Sequence, residues 1–129
     1  MAKLTPEMIK VIETMGVYPI ATATPDGVPN LVYVGCLKVV DEETIMIADN
    51  KFFKTRQNLE ANPVLTATFW HPDAEGCYQV KGRAELVEAG DVFADCKHWV
   101  EDKTGGSISP KAAVLLHVDE IYAGAEKLA

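Results

Sequence analysis

The stretch Tyr78–Leu86 constrains the fold of this chain more than any other. Tyr78, Val80, Gly82, Ala84 and Leu86 alternate there with Gln79, Lys81, Arg83 and Glu85. Successive side chains of a strand point to opposite faces, so this strand buries one face and leaves the other wet. The sheet it joins is set by the remaining elements.

A helix is predicted from Pro6 to Met15, with Thr5 as its N-cap, Pro6 in its first position and Glu7 in its first turn. Met8, Val11, Ile12 and Met15 share one face, and Gly16 ends the element. Val17–Thr24 reads as a strand ending at the turn Pro25-Asp26-Gly27. The apolar run Val28–Val40 reads as one long strand, and Gly35 in its middle suggests a bulge or a close approach by a ligand or another backbone. Asp41-Glu42-Glu43 turns the chain into a third strand, Thr44–Ala48. Lys51–Ala61 has helical character and is closed by Asn62-Pro63. Val64–Trp70 follows as a strand, then a polar loop His71–Gly76 and the alternating strand. Gly90–Lys103 predicts a second long helix with Val92, Phe93, Cys96, Trp99 and Val100 on one stripe. After the loop Thr104–Ser107, Lys111–Val118 is the last strand before a short tail. The order α-β-β-β-α-β-β-α-β, with short hairpins, predicts a mainly β (α+β) fold. It is an antiparallel barrel with flanking helices at its rim, not a doubly wound sheet. The 129 residues suit one domain, 1–129, with no internal repeat or linker.

Composition excludes several functions. A net charge of −7 and a pI near 4.9 argue against nucleic acid, whose binding rests on phosphate neutralisation. Any anionic ligand must then be held by a local cluster of donors. Cys36, Cys77 and Cys96 include no CxxC pair, so reduced, partly buried thiols are expected rather than a zinc or redox site. His71, His98 and His117 are scattered without metal spacing. No apolar run approaches a membrane span, and the opening MAKLTPEMIK lacks a signal-peptide core, so no membrane and a cytoplasmic location are expected.

The strongest chemical feature is Phe53-Lys54-Thr55-Arg56-Gln57-Asn58. Lys54, Thr55 and Arg56 fall in the first turn of a helix that follows a strand, where free N–H groups and the dipole favour an anion. A lysine, a hydroxyl and an arginine would complete a phosphate cradle; the competing reading is a solvated helix face. Gly35 would let a flat ring lie on the backbone of the second strand beside Tyr33, Val34 and Cys36, against the alternative of an ordinary barrel strand with a bulge. With no G-x-S-x-G elbow, no glycine-rich phosphate loop and no distinctive acid pair, any chemistry is expected from a cofactor.

Several stretches together resemble one family. Ala21–Asn30 is similar to the opening hairpin of the pyridoxamine-phosphate-oxidase-like FMN-binding proteins, and Gly35–Asp41 to their second strand and turn. Ile47-Ala48-Asp49, Lys54–Leu59 and Asn62-Pro63 follow at the family's spacing, and Tyr78–Glu85 looks like its G-x-A-E strand. The resemblance covers about residues 5 to 122. It implies a split barrel working as a homodimer, with non-covalent FMN between subunits. The phosphate would fall on Lys54 and Thr55, next to Phe53. The ring would lie along the second and third strands at Tyr33, Val34, Gly35, Ala48 and Asp49, with Lys38 near the cofactor. The family often has a second basic residue where this chain has Thr55, a role left to Arg56 or Lys51; a glutamine that reaches the flavin falls on Cys77, with Gln79 a partial substitute. The oxidase proper has a longer C-terminal part that holds the vitamin phosphate, so genuine pyridoxamine-phosphate oxidase activity is not expected. The implied function is electron or hydride transfer between FMN and a small donor or acceptor. The alternatives are a carrier or sensor without turnover, and a barrel binding deazaflavin or haem.

Overall fold

The computed structural model describes residues 2–74 and 76–129. The predicted loop His71–Gly76 is therefore described except at Glu75, which lies outside these residues. Helix α1 spans Pro6–Thr14, and the Thr5 hydroxyl accepts the Met8 N–H at 3.2 Å, as the capping pattern predicts. The remaining elements are β1 (Tyr18–Ala23), β2 (Pro29–Val34), β3 (Leu37–Asp41), β4 (Thr44–Asp49), α2 (Lys54–Ala61), β5 (Val64–Phe69), β6 (Tyr78–Val87), α3 (Gly90–Thr104), β7 (Ala112–Ala123) and β8 (Glu126–Lys127). All the strand pairings are antiparallel. The fold is an antiparallel α+β split barrel.

Two departures from the sequence reading shape this barrel. The run Val28–Val40 is not one strand; it breaks at Gly35-Cys36 into β2 and β3. The sheet runs β2-β1-β5-β6-β7-β4-β3, so these consecutive strands are its two ends. The curled sheet is thus joined to itself by a two-residue link, and the Cys36 carbonyl ties that link to the Ala48 N–H at 3.0 Å. Gly35 carries no bulge, and a Cβ there would meet nothing within 4 Å. The glycine that a close approach demands is Gly82, at the register shift between β6 and β7, where a Cβ would strike the His117 carbonyl. The last strand is also longer than predicted. Asp119–Ala123 continues β7 instead of forming a tail, because Lys81, Val80, Gln79 and Tyr78 of β6 extend its ladder.

Inside the barrel, Ile20, Ile45, Ile47, Phe69, Val80, Val114 and Leu116 form the main core with Met8 and Ile12 of α1. A second, smaller cluster joins Cys36, Met46, Ala48 and Ala113 to Cys96 and Val100 of α3. α3 thereby covers the outside of β4, which explains why Ile45–Asp49 is buried on both faces. Of the predicted α3 stripe, only Cys96 and Val100 are buried.

Candidate functional site

A cleft of about 450 Å³ opens at the seam where β2 breaks. One side is Asn30, Val32 and the stretch Tyr33–Cys36; the other is Ala48, the stretch Asn50–Thr55 and Ile108. Its volume lies within the range of small-molecule sites.

The start of α2 forms the polar end of this cleft. Phe53 caps the helix with no side-chain bond, and the first i→i−4 bond runs from the Gln57 N–H to the Phe53 carbonyl. The N–H groups of Lys54, Thr55 and Arg56 therefore have no acceptor within the helix, and the dipole adds partial positive charge. Thr55 is buried, and its hydroxyl accepts the Asn30 amide at 3.1 Å, which leaves the hydroxyl proton to donate. Lys51 and Lys54 have no ion-pair partner among the described residues. α2 itself is held down by Leu59, by the Asn58 amide on Thr22 (3.0 Å) and by the Asn62 amide on the Ala23 carbonyl (3.2 Å).

Seven of the nine residues singled out by the sequence line this one cleft: Tyr33, Val34, Gly35, Ala48, Phe53, Lys54 and Thr55. Lys38 and Asp49 do not. Lys38 lies under α3, with its ammonium 4.7 Å from the centre of the Trp99 ring. Asp49 is fully buried, and both its oxygens are engaged. Oδ1 accepts the Phe52 N–H at 3.0 Å with the Lys111 ammonium 3.9 Å away, and Oδ2 accepts Arg56 at 2.8 Å. Asp49 thus shapes the turn before α2 and does not line the cleft. Arg56 is committed as well, to Asp49, Glu60 and Glu88, and the Asp49 hydrogen bond chiefly raises its pKa further. Of the two residues offered to replace the family's second basic group, only Lys51 lines the cleft. Cys77 and Gln79 sit at the start of β6, outside it.

The sequence reading missed Asn30, Val32, Asn50, Phe52 and Ile108 as cleft residues. Ile108 arrives from the far side of α3, which no local pattern announces. Asn50 reads only as a turn residue, yet its side-chain oxygen is buried and has no donor among the described residues. No group of three His, Cys, Asp or Glu among the described residues could hold a metal. Cys96 is sealed in the second cluster, and burial pushes its thiol up to about 11. No helix among the described residues is long and apolar enough to cross a membrane.

These residues fit a phosphorylated flat ring. Unused N–H groups, a lysine and a hydroxyl stand at one end, bare space lies over Gly35, and an acceptor in the wall lacks a donor.

Comparison with known proteins agrees in fold and family. The chain is 37% identical to the uncharacterized protein MJ0282 of Methanocaldococcus jannaschii over 126 residues, 93% of this chain and 80% of that one. It superposes on HupZ of Group A Streptococcus with a TM-score of 0.85 and 26% identity, covering 98% of each chain. An FMN-binding protein of Syntrophomonas wolfei shares the fold, with a TM-score of 0.70 and 15% identity over 92% of this chain and 81% of that one. So do an F420 reductase (TM-score 0.67, 18% identity, 88% and 94% covered) and HutZ, the haem storage protein of Vibrio cholerae (0.72, 15%, 94% and 94%). The sequence model described as pyridoxamine 5'-phosphate oxidase matches residues 4–124, and the chain belongs to that family of split barrels.

Proposed function

We propose that this protein is a homodimeric flavoprotein, a single split-barrel domain of the cytoplasm, that holds FMN non-covalently in the seam cleft. It passes electrons or hydride between a small donor and a small acceptor. The observation that carries this reading is the set of uncommitted polar groups at the start of α2. The N–H groups of its first turn, the Thr55 hydroxyl and the Lys54 ammonium converge on one end of a cleft whose wall is bare at Gly35. Charge-assisted bonds from lysine and helix N–H groups suit a single phosphate, and Lys51 adds positive charge at the mouth in a chain of net charge −7. Val34, Gly35 and Ala48 offer an apolar wall for the ring, and Tyr33 and Phe53 edge it. Bound FMN supplies one- and two-electron transfer, while the chain binds it, orients it and keeps water from it.

The dimer is supported by the same face. Tyr33 and Phe53, which line the cleft, are 76% and 72% exposed, and Leu31, two residues before Tyr33 on the same face of β2, is 71% exposed. Large apolar side chains rimming a ligand cleft suit a partner wall. A second copy there closes the cleft, and sedimentation is expected to give a dimer. A monomer that binds FMN tightly would refute this part.

The test is an absorption spectrum of the purified protein before and after adding FMN, with NADH and NADPH added last. Flavin bands that bind and bleach with a nicotinamide support an oxidoreductase. Bands that bind and never bleach favour a carrier, a sensor or another donor. A deazaflavin or haem spectrum in the protein as isolated, with no uptake of FMN, would overturn the FMN assignment.

A further inference from the structure

The Asn50 side-chain oxygen is buried in the cleft wall and accepts no hydrogen bond among the described residues. A buried acceptor left unpaired is costly, so its persistence needs a reason. Several donors near it are committed elsewhere, and the cleft's uncommitted ones, the Lys51 and Lys54 ammoniums and the Thr55 hydroxyl, make no bond to it. Asp49 takes the Phe52 N–H, Arg56 is shared among three carboxylates, and the Lys111 ammonium donates to the Phe52 carbonyl at 3.2 Å. The Asn30 amide donates to Thr55. Val32, Val34, Ala48 and Ile108 of the cleft have no side-chain donor to offer.

We infer that Asn50 selects the ligand of this cleft by accepting a hydrogen bond from a ring N–H flanked by carbonyls, the imide edge of a flavin or deazaflavin. A primary amide suits that edge, since its oxygen accepts the N–H while its nitrogen donates to a neighbouring carbonyl. The torsion joining Cβ to the amide is broad, so the oxygen can turn toward the cavity when a donor arrives. A tetrapyrrole has no outward N–H, and its carboxylates would place further acceptors against an oxygen that lacks a donor. The assignment rests on the reading of the cleft as a flavin site and adds which edge of the ring is recognised.

The experiment compares FMN, N3-methyl-FMN and 5-deaza-FMN by titration into the wild type and Asn50→Leu, with melting curves of each without ligand. The wild type is expected to bind FMN and 5-deaza-FMN roughly three- to tenfold tighter than the methylated ring, the loss of one neutral hydrogen bond. Asn50→Leu is expected to weaken FMN by the same factor, to lose the preference, and to melt no lower than wild type, because it removes an unpaired buried acceptor. Should the leucine variant fail to fold, Asn50→Ala gives the same comparison. Equal binding of FMN and N3-methyl-FMN by the wild type overturns the inference and leaves the FMN site standing. So does a variant that keeps the wild-type preference, since a steric clash of the methyl group then explains it. Uptake of 5-deaza-FMN that Asn50→Leu weakens by that factor, with no uptake of FMN, upholds the imide assignment and overturns the FMN reading. Uptake of none of the three rings overturns both.

Discussion

Two clefts among the described residues are similar in size and different in chemistry. The second, about 380 Å³, lies outside β1, β5 and β6 and is edged by Lys81, Arg83, Asp119 and Glu120. Its charges are spent on one another. Arg83 pairs with Asp119 at 3.4 Å, and Glu120 takes the Tyr122 hydroxyl at 2.8 Å and faces Lys127 at 3.6 Å. The Tyr122 hydroxyl holds the Glu120 carboxyl below its usual range, and Lys81 sits 5.3 Å from the centre of the Tyr122 ring. At the seam, by contrast, the first turn of α2 has N–H groups to spare, and among the described residues Lys51 and Lys54 have no ion partner and the Asn50 oxygen no donor. Volume alone does not mark a binding site. Uncommitted polar groups do, because they cost stability and native structures keep few of them without a use.

The same contrast separates cations on a single helix, and it can be broken there first. Arg56→Ala leaves the fully buried Asp49 carboxylate without its closest cation and should cost roughly 3–5 kcal/mol of stability in urea unfolding. Lys54→Ala with Thr55→Ala should instead weaken FMN by roughly 2–4 kcal/mol, read by flavin fluorescence titration, with Lys54 contributing little to unfolding. If the double variant kept the wild-type dissociation constant, the phosphate would sit elsewhere. Cys96 gives a smaller, pH-dependent effect. Its folded pKa is about 11 against an ordinary value near 9, so it does not affect stability below about pH 9. Between pH 9 and 11 the unfolded thiol ionises and the buried one does not, so stability falls by up to roughly 2 kcal/mol. Cys96→Ala should remove that part of the decline in denaturant melts taken at pH 8 and pH 10.5. Smallest of all, Arg83→Ala in the second cleft breaks a pair with both partners exposed. It should change stability by less than about 1 kcal/mol and FMN affinity not at all; a lost FMN signal here would erase the distinction between the clefts.

The elements were legible where their causes are local. The Thr5–Pro6 start of α1 and the alternation of β6 each follow from a few neighbouring residues and stand as read, and the predicted Lys51–Ala61 helix forms but starts at Lys54, after the turn that Asp49 holds. The break at Gly35-Cys36 was hidden because Val28–Val40 is apolar throughout, and only closure of the sheet sends β2 and β3 to opposite ends. Lys38 was placed near the cofactor by its match to a basic position of the family, but it does not line the cleft. Trp99 of α3 lies 61 residues further along the chain, and only the folded barrel brings the two together.

Sequence by itself determined the antiparallel strands, through alternation and hairpin spacing, the family, through its resemblance, and a helix N-terminus beside Lys54 and Thr55, because these are carried by neighbouring residues. Tertiary structure decided which groups remained available. Arg56, three residues into the same motif as Lys54, was drawn off by Asp49 and Glu88, and Asn50 was walled in without a donor. The physical reason is that local pattern sets what each group is able to donate or accept, while the partners that consume it come from distant parts of the chain.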